Sequence, residues 1–298
     1  MARTPRSLVG SVVAITGGGR GIGRATAVAL IAQGARVAIG DIDAALAERT
    51  AEELGSGTIG LALDVTDRAS FAAFLDQAEE RLGALDVLVN NAGIMPIGPF
   101  VEESDATAAR IIDINLRGVI FGSKLALERF STRGSGHLVN IASTAGKQGV
   151  SSGATYCASK HAVVGLTEAI RQEIRGSGIA VTVVMPHVVN TELGSGLAGM
   201  HGIKLVEPED VADAIVGALH TGRYEVYVPK PIGLLLRSKA LVPVTVAEFV
   251  ARLIKGDRVL DNPDHNARAA YEERMAQTIA EAQRPPEAAS PDREAKVA

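Results

Sequence analysis

The sequence predicts an α/β fold, in which one doubly wound parallel sheet of seven strands has helices on both faces and a helical C-terminal extension. Short runs rich in β-branched residues alternate with segments of helical period, as in parallel sheets that helices cover on both sides. A glycine-rich turn follows the first run. The composition, 47% hydrophobic and 21% charged over 298 residues, is that of a globular chain with a sizeable core.

The elements follow from these patterns in chain order. The predicted strands are Ser11 to Thr16, Arg36 to Gly40, Thr58 to Leu63, Val87 to Asn90, Gly136 to Ile141, Ala180 to Met185 and Glu225 to Val228. The predicted helices between them are Ile22 to Gln33, Ala44 to Leu54, Ala69 to Arg81, Asp105 to Phe130, Ala154 to Arg175 and Pro208 to His220. Gly34 and Gly55 mark the ends of two of these helices.

Beyond Val228 the alternation stops, and two further helices are predicted, Ile232 to Ile254 and Pro263 to Gln283. Residues 284–298 are Pro-rich and polar, which predicts a disordered tail. The chain is therefore divided into an α/β domain over 1–230, a helical extension over 231–283 and the tail.

Charge and composition exclude some classes of partner. The net charge is -4, only 3% of residues are aromatic and Trp is absent, so nucleic acid is not expected as a partner. The N-terminal apolar run is too short for a signal peptide, and the single cysteine, Cys157, fits a reducing compartment. We expect a cytoplasmic protein that needs no disulfide or metal.

The turn Thr16-Gly17-Gly18-Gly19-Arg20-Gly21-Ile22-Gly23 lies between the first strand and the first helix. Glycines permit close backbone approach, and a helix N-terminus offers unpaired N–H groups to a pyrophosphate. This turn predicts dinucleotide binding, although any tight strand-to-helix turn can require glycine.

Asp41 ends the second strand, 18 residues after Gly23. A carboxylate there can bind the ribose hydroxyls of adenosine and repel a 2′-phosphate, which favours NAD(H) over NADP(H). Arg20 and Arg36 are nearby cations that would soften this choice. Asp41 could instead cap the next helix, but Asp43 is the better candidate for that role.

Two further groups of residues end strands at the same edge of the sheet, where ligands bind in such folds. They are Asp64-Val65 after the third strand and Asn90-Asn91-Ala92-Gly93 after the fourth. Ala92 and Gly93 leave room for a flat ring, and either asparagine can hold the turn. The alternative is a loop that binds no ligand.

Tyr156 and Lys160 are four residues apart on a predicted helix and face the same way. An ammonium group beside a phenol lowers the pKa of the phenol, so Tyr156 is a candidate acid/base. Ser143, at the end of the fifth strand, can donate a hydrogen bond to the same substrate oxygen. Asn115 lies inside a helix that an amide disfavours, which predicts a specific hydrogen bond.

Together these motifs identify the chain as similar to the classical short-chain dehydrogenase/reductase (SDR) family over roughly Ser7 to Pro229. The resemblance implies a Rossmann-type NAD-binding catalytic domain in which Tyr156 transfers a proton, Ser143 orients the substrate oxygen, Lys160 lowers the Tyr156 pKa and binds the nicotinamide ribose, and Asn115 holds a water. It implies a homodimer or homotetramer, for which the apolar positions Ile111, Leu116, Val163 and Leu166 would supply a surplus buried face. The residues it implies for the cofactor are Gly17, Arg20, Gly21, Ile22, Gly23, Asp41, Asp64, Val65, Asn91, Ala92, Gly93, Pro186, Val189 and Thr191 together with Tyr156 and Lys160.

One position departs from the family pattern, because Pro186 is followed by His187 where the family usually has glycine. His187 either contacts the substrate or fills space. His161 and Cys157 are expected to be packing residues.

The loop Val188 to Val206 is apolar and glycine-rich, which favours a hydrophobic, lipid-like or steroid-like secondary alcohol or ketone as substrate. Two alternatives stay open, a non-catalytic NAD-binding or scaffolding module and a related enzyme such as an epimerase or dehydratase. The apolar segment Pro231 to Gly256, which carries Arg237 and Lys239, is expected either to cover the cleft or a subunit neighbour, or to make peripheral membrane contact.

Overall fold

The computed structural model describes residues 6–197, 205–238, 242–253, 256, 258–261 and 263–283, so the predicted tail lies outside the described residues. It contains one seven-stranded parallel sheet in the order β3-β2-β1-β4-β5-β6-β7. The strands are β1 (Val12–Thr16), β2 (Arg36–Asp41), β3 (Ile59–Ala62), β4 (Leu85–Asn90), β5 (Gly136–Ile141), β6 (Ile179–Pro186) and β7 (Glu225–Val228). All seven predicted strands are confirmed.

The strand order reverses between β1 and β4, because the chain moves outward from β1 to β3 and then returns to β4 on the other side. A crevice opens at such a reversal, beyond the carboxyl ends of the strands. Every residue of β1 and of β5 is buried, as expected for strands covered on both faces.

Helices cover both faces of the sheet. Those that precede β7 are α1 (Gly21–Ala32), α2 (Ala44–Leu54), α3 (Arg68–Leu82), α4 (Asp105–Ile112), α5 (Gly118–Arg133), α6 (Ala154–Glu173) and α7 (Pro208–Thr221). On one face, α3, α5 and α6 bury Phe71, Phe130 and Ile170 against the sheet. On the other face, α1 and α7 bury Leu30 and Ile215.

Helix α2 begins after Asp43, whose side chain accepts a hydrogen bond from Leu46 N at 2.9 Å. It ends at Gly55, which has a φ of +60°. The prediction that Asp43 caps this helix is confirmed, so Asp41 is not the capping residue.

The predicted helix Asp105 to Phe130 is interrupted. A π-helical turn, Asp113–Arg117, joins α4 to α5 and contains Asn115. Turns of this kind occur frequently at functional sites. The apolar periodicity of the sequence predicts neither this π-helical turn nor the end of α5 at Arg133.

The helical stretch predicted over Ile232 to Ile254 is confirmed as helical but is divided into two helices, α8 (Lys230–Ser238) and α9 (Val244–Leu253). Pro243 directly precedes α9, and proline disfavours a helix interior because it lacks a backbone N–H. The last predicted helix is confirmed as α10 (His265–Ala282). Among the described residues, no helix is long and apolar enough to cross a membrane.

The prediction that four apolar positions on α4, α6 and the turn between α4 and α5 form a surplus face for a subunit interface is wrong in part. Ile111 and Val163 are fully buried within the chain itself, in the two clusters that pack around α4 and α6. Leu116 and Leu166 are partly buried against the same clusters. Ile111 and Val163 therefore supply no uncovered face for a partner, whereas Leu116 and Leu166 keep part of their surface exposed, and the homodimer or homotetramer stays a prediction.

Candidate active site

A cavity of about 390 Å³ lies at the carboxyl ends of the strands, where the strand order reverses. The predicted site residues that line it are Gly17, Arg20, Gly21, Ile22, Asp41, Asp64, Val65, Asn91, Ala92, Gly93, Ser143, Tyr156, Lys160, Pro186, Val189 and Thr191. Gly23 and Asn115 are not among the lining residues and lie behind the wall. The sheet thus brings motifs that are far apart in sequence around one space.

The glycine-rich turn leaves the start of α1 open to the cavity. Gly17 and Gly21 have φ values of +63° and +52°, a region that side chains disfavour. A Cβ on Gly23 would lie 2.2 Å from Gly17 O, so only glycine lets α1 approach the turn this closely. Arg20 occupies the N-cap position and makes no side-chain cap hydrogen bond. The first N–H groups of α1 are therefore suited to a phosphate group.

Asn91 and Thr16 fasten the turn to the loop after β4. The Asn91 side chain donates to Thr16 O and Gly17 O at 2.9 and 3.0 Å, while Thr16 Oγ1 accepts from Asn91 N and Ala92 N. Both N–H groups of the Asn91 amide are thereby used to position backbone. Asn90 instead lies in the core, where it donates to Asn140 Oδ1 at 2.9 Å.

Asp41 is only 8% exposed and lies at the part of the cavity where the sequence predicts that the adenosine binds. Backbone N–H groups fix its carboxylate. It accepts hydrogen bonds from Gly19 N at 3.2 Å and Asp43 N at 3.3 Å. Nearby, the Asp64 carboxylate accepts from both the N–H and the hydroxyl of Thr66. The N–H groups of Gly19 and Asp43 each occupy one lone pair of the Asp41 carboxylate. The remaining lone pairs can accept hydrogen bonds from a ligand.

Tyr156 and Lys160 are both buried on α6. The Lys160 amine is 5.8 Å from the centroid of the Tyr156 ring and donates to Ile141 O at 3.1 Å. Burial lowers the pKa of Lys160 to about 8. Because burial removes the Lys160 ammonium from water and no carboxylate among the described residues pairs with it, its charged form is disfavoured.

The pKa of Tyr156 is raised by burial to about 12, and a hydrogen bond with the Ser143 side chain acts in the opposite direction. This direction is opposite to the one that a neighbouring ammonium alone predicts. The phenol lies in an apolar cluster that includes Met95, Cys157 and Leu260, where desolvation of the phenolate dominates. At neutral pH the Tyr156 phenol therefore keeps its proton.

Ser143 follows β5 and caps a short 3-10 turn. Its hydroxyl accepts from Ala145 N at 3.1 Å and donates to Pro186 O at 3.4 Å. The second of these bonds is long, so the Ser143 hydroxyl can instead donate its hydrogen bond to a better acceptor in the cavity.

Asn115 is fully buried and satisfies both backbone groups of Ile94. Its Oδ1 accepts from Ile94 N at 2.8 Å, and its Nδ2 donates to Ile94 O at 2.9 Å. A Cβ on Gly93 would lie 3.2 Å from Asn115 Oδ1 and 3.6 Å from the Lys160 amine. The predicted specific hydrogen bond is confirmed, and it positions the loop that borders Lys160.

His187 lines the cavity and is 8% exposed. Its Nδ1 is 3.2 Å from Thr144 Oγ1, and its Nε2 is buried without a hydrogen-bond partner in the described part of the chain. Burial lowers its pKa to about 4, so the ring is neutral at physiological pH. The hydrogen bond to Thr144 fixes the His187 ring in the cavity wall, and contact with a substrate stays a prediction.

The sequence predicts that His161 and Cys157 are both packing residues. His161 is exposed, which makes that prediction wrong, and its Nδ1 is 2.8 Å from Cys157 O on the same helix. Cys157 is buried, as expected, and burial raises its pKa.

The sequence interpretation missed the part of the cavity wall formed by α10. Tyr271, Arg274, Met275 and Thr278 all line the cavity, as do Val259 and Leu260 before the helix. The signal was present, because positions 268, 271, 275 and 278 recur at helical spacing. In addition, Glu192 bridges Arg20, at 2.9 Å, and Arg274, and so connects the glycine-rich turn to α10.

Comparisons with known proteins agree with this geometry. Residues 11–200 match the family model described as short chain dehydrogenase. The chain is 40% identical over 228 residues to 2-(S)-hydroxypropyl-CoM dehydrogenase 3 from Xanthobacter autotrophicus, covering 70% of this chain and 89% of that protein. It is also 40% identical over 208 residues to a protein named inactive 2-(S)-hydroxypropyl-CoM dehydrogenase 2 from the same organism, covering 65% and 90% of the two chains.

A solved structure of a short chain dehydrogenase/reductase from Burkholderia phymatum in complex with NAD is similar to this fold. The TM-score is 0.73 at 27% identity, and the alignment covers 87% of this chain and 99% of that one. The fold, the motifs and the family match define one class of protein. The chain belongs to the short chain dehydrogenase family, which is a class of oxidoreductases.

Proposed function

We propose that the protein is an NAD(H)-dependent oxidoreductase that interconverts a hydrophobic secondary alcohol, lipid-like or steroid-like, and its ketone, with Tyr156 as the acid/base. The observation that carries this proposal is the placement of Tyr156, Ser143 and Lys160 around one cavity that also contains the glycine-rich turn and Asp41. A bound nicotinamide supplies or accepts the hydride. The residues of the chain handle the proton and orient the substrate.

In the direction of ketone reduction, the Tyr156 phenol gives its proton to the substrate oxygen as the carbonyl carbon becomes a carbinol carbon. Ser143 donates a hydrogen bond to the same oxygen and stabilises the charge that develops there. Lys160 supports the phenolate that is left behind. In the direction of oxidation, the same phenolate takes the hydroxyl proton.

The preference for NAD(H) is supported by the surroundings of Asp41. Its buried carboxylate would repel a 2′-phosphate, and the two cations that could counter it are engaged elsewhere. Arg20 pairs with Glu192 at 2.9 Å, and Arg36 donates to Gly10 O at the opposite end of β2. Arg36 therefore offers little to a phosphate at the Asp41 end.

The hydrophobic substrate class is supported by the side chains beyond Tyr156. Met95, Leu193, Leu197, Leu260 and Met275 line that part of the cavity. Residues 198–204 of the predicted substrate loop lie outside the described residues. An activity screen over secondary alcohols and ketones with NAD(H) and NADP(H) tests the proposal, and a preference for NADP(H) would contradict its cofactor assignment.

Two alternatives have defined outcomes in the same screen. A non-catalytic NAD-binding or scaffolding module would bind NADH and turn over nothing, an outcome made relevant by the relative named inactive at 40% identity. An epimerase or dehydratase would consume substrate without net change in NADH. Tyr156, Ser143 and Lys160 are all present, which favours an enzyme over a binding module. The spacing Gly17-x-x-x-Gly21-x-Gly23 differs from the Gly-x-x-Gly-x-x-Gly that the related epimerases and dehydratases usually carry, which favours the dehydrogenase.

The other expectations stay part of the proposal. We propose a catalytic domain over 1–230 whose extension 231–283 contributes α10 to the site. A homodimer or homotetramer is supported by the family resemblance, and light scattering tests it.

A cytoplasmic location is predicted from the sequence. Peripheral membrane contact through 231–256 is a second prediction, which vesicle co-sedimentation tests. The apolar side chains Leu234, Phe249 and Leu253 are exposed in this segment.

A further inference from the structure

Arg268 fixes helix α10 against two loops of the cavity wall. The side chain is fully buried, and its guanidinium donates to Met95 O at 2.7 Å, Leu193 O at 2.9 Å and Ser195 O at 3.1 Å. Met95 belongs to the loop after β4, and the other two carbonyls belong to the loop after β6. A buried arginine with three backbone acceptors holds its helix in one position.

Tyr271 lies one turn further along α10, and its ring centroid is 4.6 Å from the Arg268 guanidinium. It is 5% exposed and lines the cavity, and its hydroxyl bonds the backbone of Met95, which packs in the same apolar cluster as Tyr156. Tyr271 therefore lies near Tyr156, on the part of the cavity wall that α10 forms.

The hydrogen bonding of the Tyr271 hydroxyl is half complete. Its oxygen accepts from Met95 N at 2.6 Å. Its own proton meets no acceptor among the residues that the structure describes. Burial raises the pKa of Tyr271, so the proton stays on the oxygen at physiological pH. A buried hydroxyl proton beside a substrate cavity calls for a partner.

We propose that Tyr271 is a specificity-determining residue that donates a hydrogen bond to a second oxygen of the substrate, adjacent to the oxygen that Tyr156 protonates. This inference rests on the proposed function. It narrows the substrate class to apolar ketones or alcohols that carry a second acceptor oxygen, such as keto esters, diketones and hydroxy ketones.

The physical reason lies in what surrounds the hydroxyl. Met95, Leu197, Leu260 and Met275 on this wall carry no strong acceptor side chain, and Thr278 on the same helix makes no hydrogen bond to Tyr271 among the described residues. A simple ketone would therefore displace water from Tyr271 and leave its proton unpaired, whereas a second substrate oxygen would pair it. Sites built to bond a polar group reject analogues that lack it more strongly than apolar pockets reject a missing methylene.

The test uses three methyl ketones of equal heavy-atom count with the full-length protein and NADH. These are 2-octanone, which has one oxygen, and ethyl acetoacetate and 2,3-heptanedione, which have further carbonyl oxygens. The wild type should favour at least one of the two oxygen-rich ketones over 2-octanone by about tenfold or more in kcat/KM.

Tyr271→Phe keeps the ring beside Arg268 and removes only the hydroxyl. It should reduce that preference to within about threefold, mainly by slowing the oxygen-rich ketone. Tyr224→Phe, which removes a tyrosine hydroxyl away from the cavity lining, is the matched control and should leave the preference intact. A merely structural role of Tyr271 would change all three substrates equally, and that result would overturn the proposal.

Ketone binding, measured by saturation-transfer NMR on the same three proteins, separates this inference from the proposed function. Absence of turnover with every ketone would count against the oxidoreductase assignment for these compounds, while the binding preference would still test Tyr271. A wild type that binds neither oxygen-rich ketone more tightly than 2-octanone contradicts the role of Tyr271.

Discussion

Lys160 and Tyr156 lie one helical turn apart on α6, yet the Lys160 amine donates to Ile141 O at 3.1 Å while it lies 5.8 Å from the centroid of the Tyr156 ring. Burial opposes charge on both groups, raising the pKa of Tyr156 to about 12 and lowering that of Lys160 to about 8. At neutral pH the phenol therefore keeps its proton, while the amine is mostly charged and loses its charge within a moderately alkaline range.

The first prediction concerns pH. The kcat/KM for ketone reduction should be independent of pH below the Lys160 pKa of about 8. Above that pH it should fall, because the ammonium that supports the Tyr156 phenolate loses its charge. Tyr156 stays protonated throughout this range. The measurement is the pH profile of kcat/KM for reduction.

Lys160→Arg is the matched variant for that profile, because a guanidinium does not titrate in this range. Its activity should be lower, but the decline above pH 8 should be absent. The same decline in Lys160→Arg would assign the titration to another group.

The second prediction concerns cofactor choice. Asp41→Ala should shift the ratio of kcat/KM for NADPH to that for NADH upward by about tenfold or more, because a carboxylate that repels the 2′-phosphate is removed. Asp43→Ala is the control, since it removes a helix cap near the same strand end and costs about 1 kcal/mol of stability without touching the cavity lining. An unchanged ratio in Asp41→Ala would exclude Asp41 as the determinant.

The third prediction concerns stability. Asn115→Ala leaves the N–H and C=O of Ile94 unpaired in a fully buried place, so the free energy of unfolding should fall by about 2–4 kcal/mol. Urea denaturation measures this change. Asn190→Ala removes an exposed amide that bonds Glu207 and should cost about 0.5 kcal/mol or less. Equal costs for both variants would refute the positioning role of Asn115.

The parts of the fold that could be predicted from the sequence are those that depend on residues close together in the chain. Alternating apolar runs define each strand, and a tight turn such as Gly17 to Gly23 requires glycine wherever it occurs. The site motifs could be predicted for the same reason, since each follows its own strand and the carboxyl ends of parallel strands meet at one edge.

What could not be predicted depends on the path of the chain and on burial. Met95 and Tyr271 are 176 residues apart in sequence, and only the folded chain brings the hydroxyl to the backbone N–H. The pKa of Tyr156 likewise depends on how completely the apolar cluster desolvates the phenol, which the spacing of Tyr156 and Lys160 does not encode.

The central claim is that Tyr156 transfers the proton in a hydride-transfer reaction, and the most direct test is turnover of Tyr156→Phe measured beside its NADH affinity by fluorescence titration. Tyr224→Phe, which changes a tyrosine away from the cavity lining, is the control and should behave like the wild type. The account predicts that Tyr156→Phe loses turnover by about a thousandfold or more while its Kd for NADH stays within a few-fold, because proton transfer and cofactor binding are separate contributions. Turnover near that of the wild type in Tyr156→Phe would contradict it.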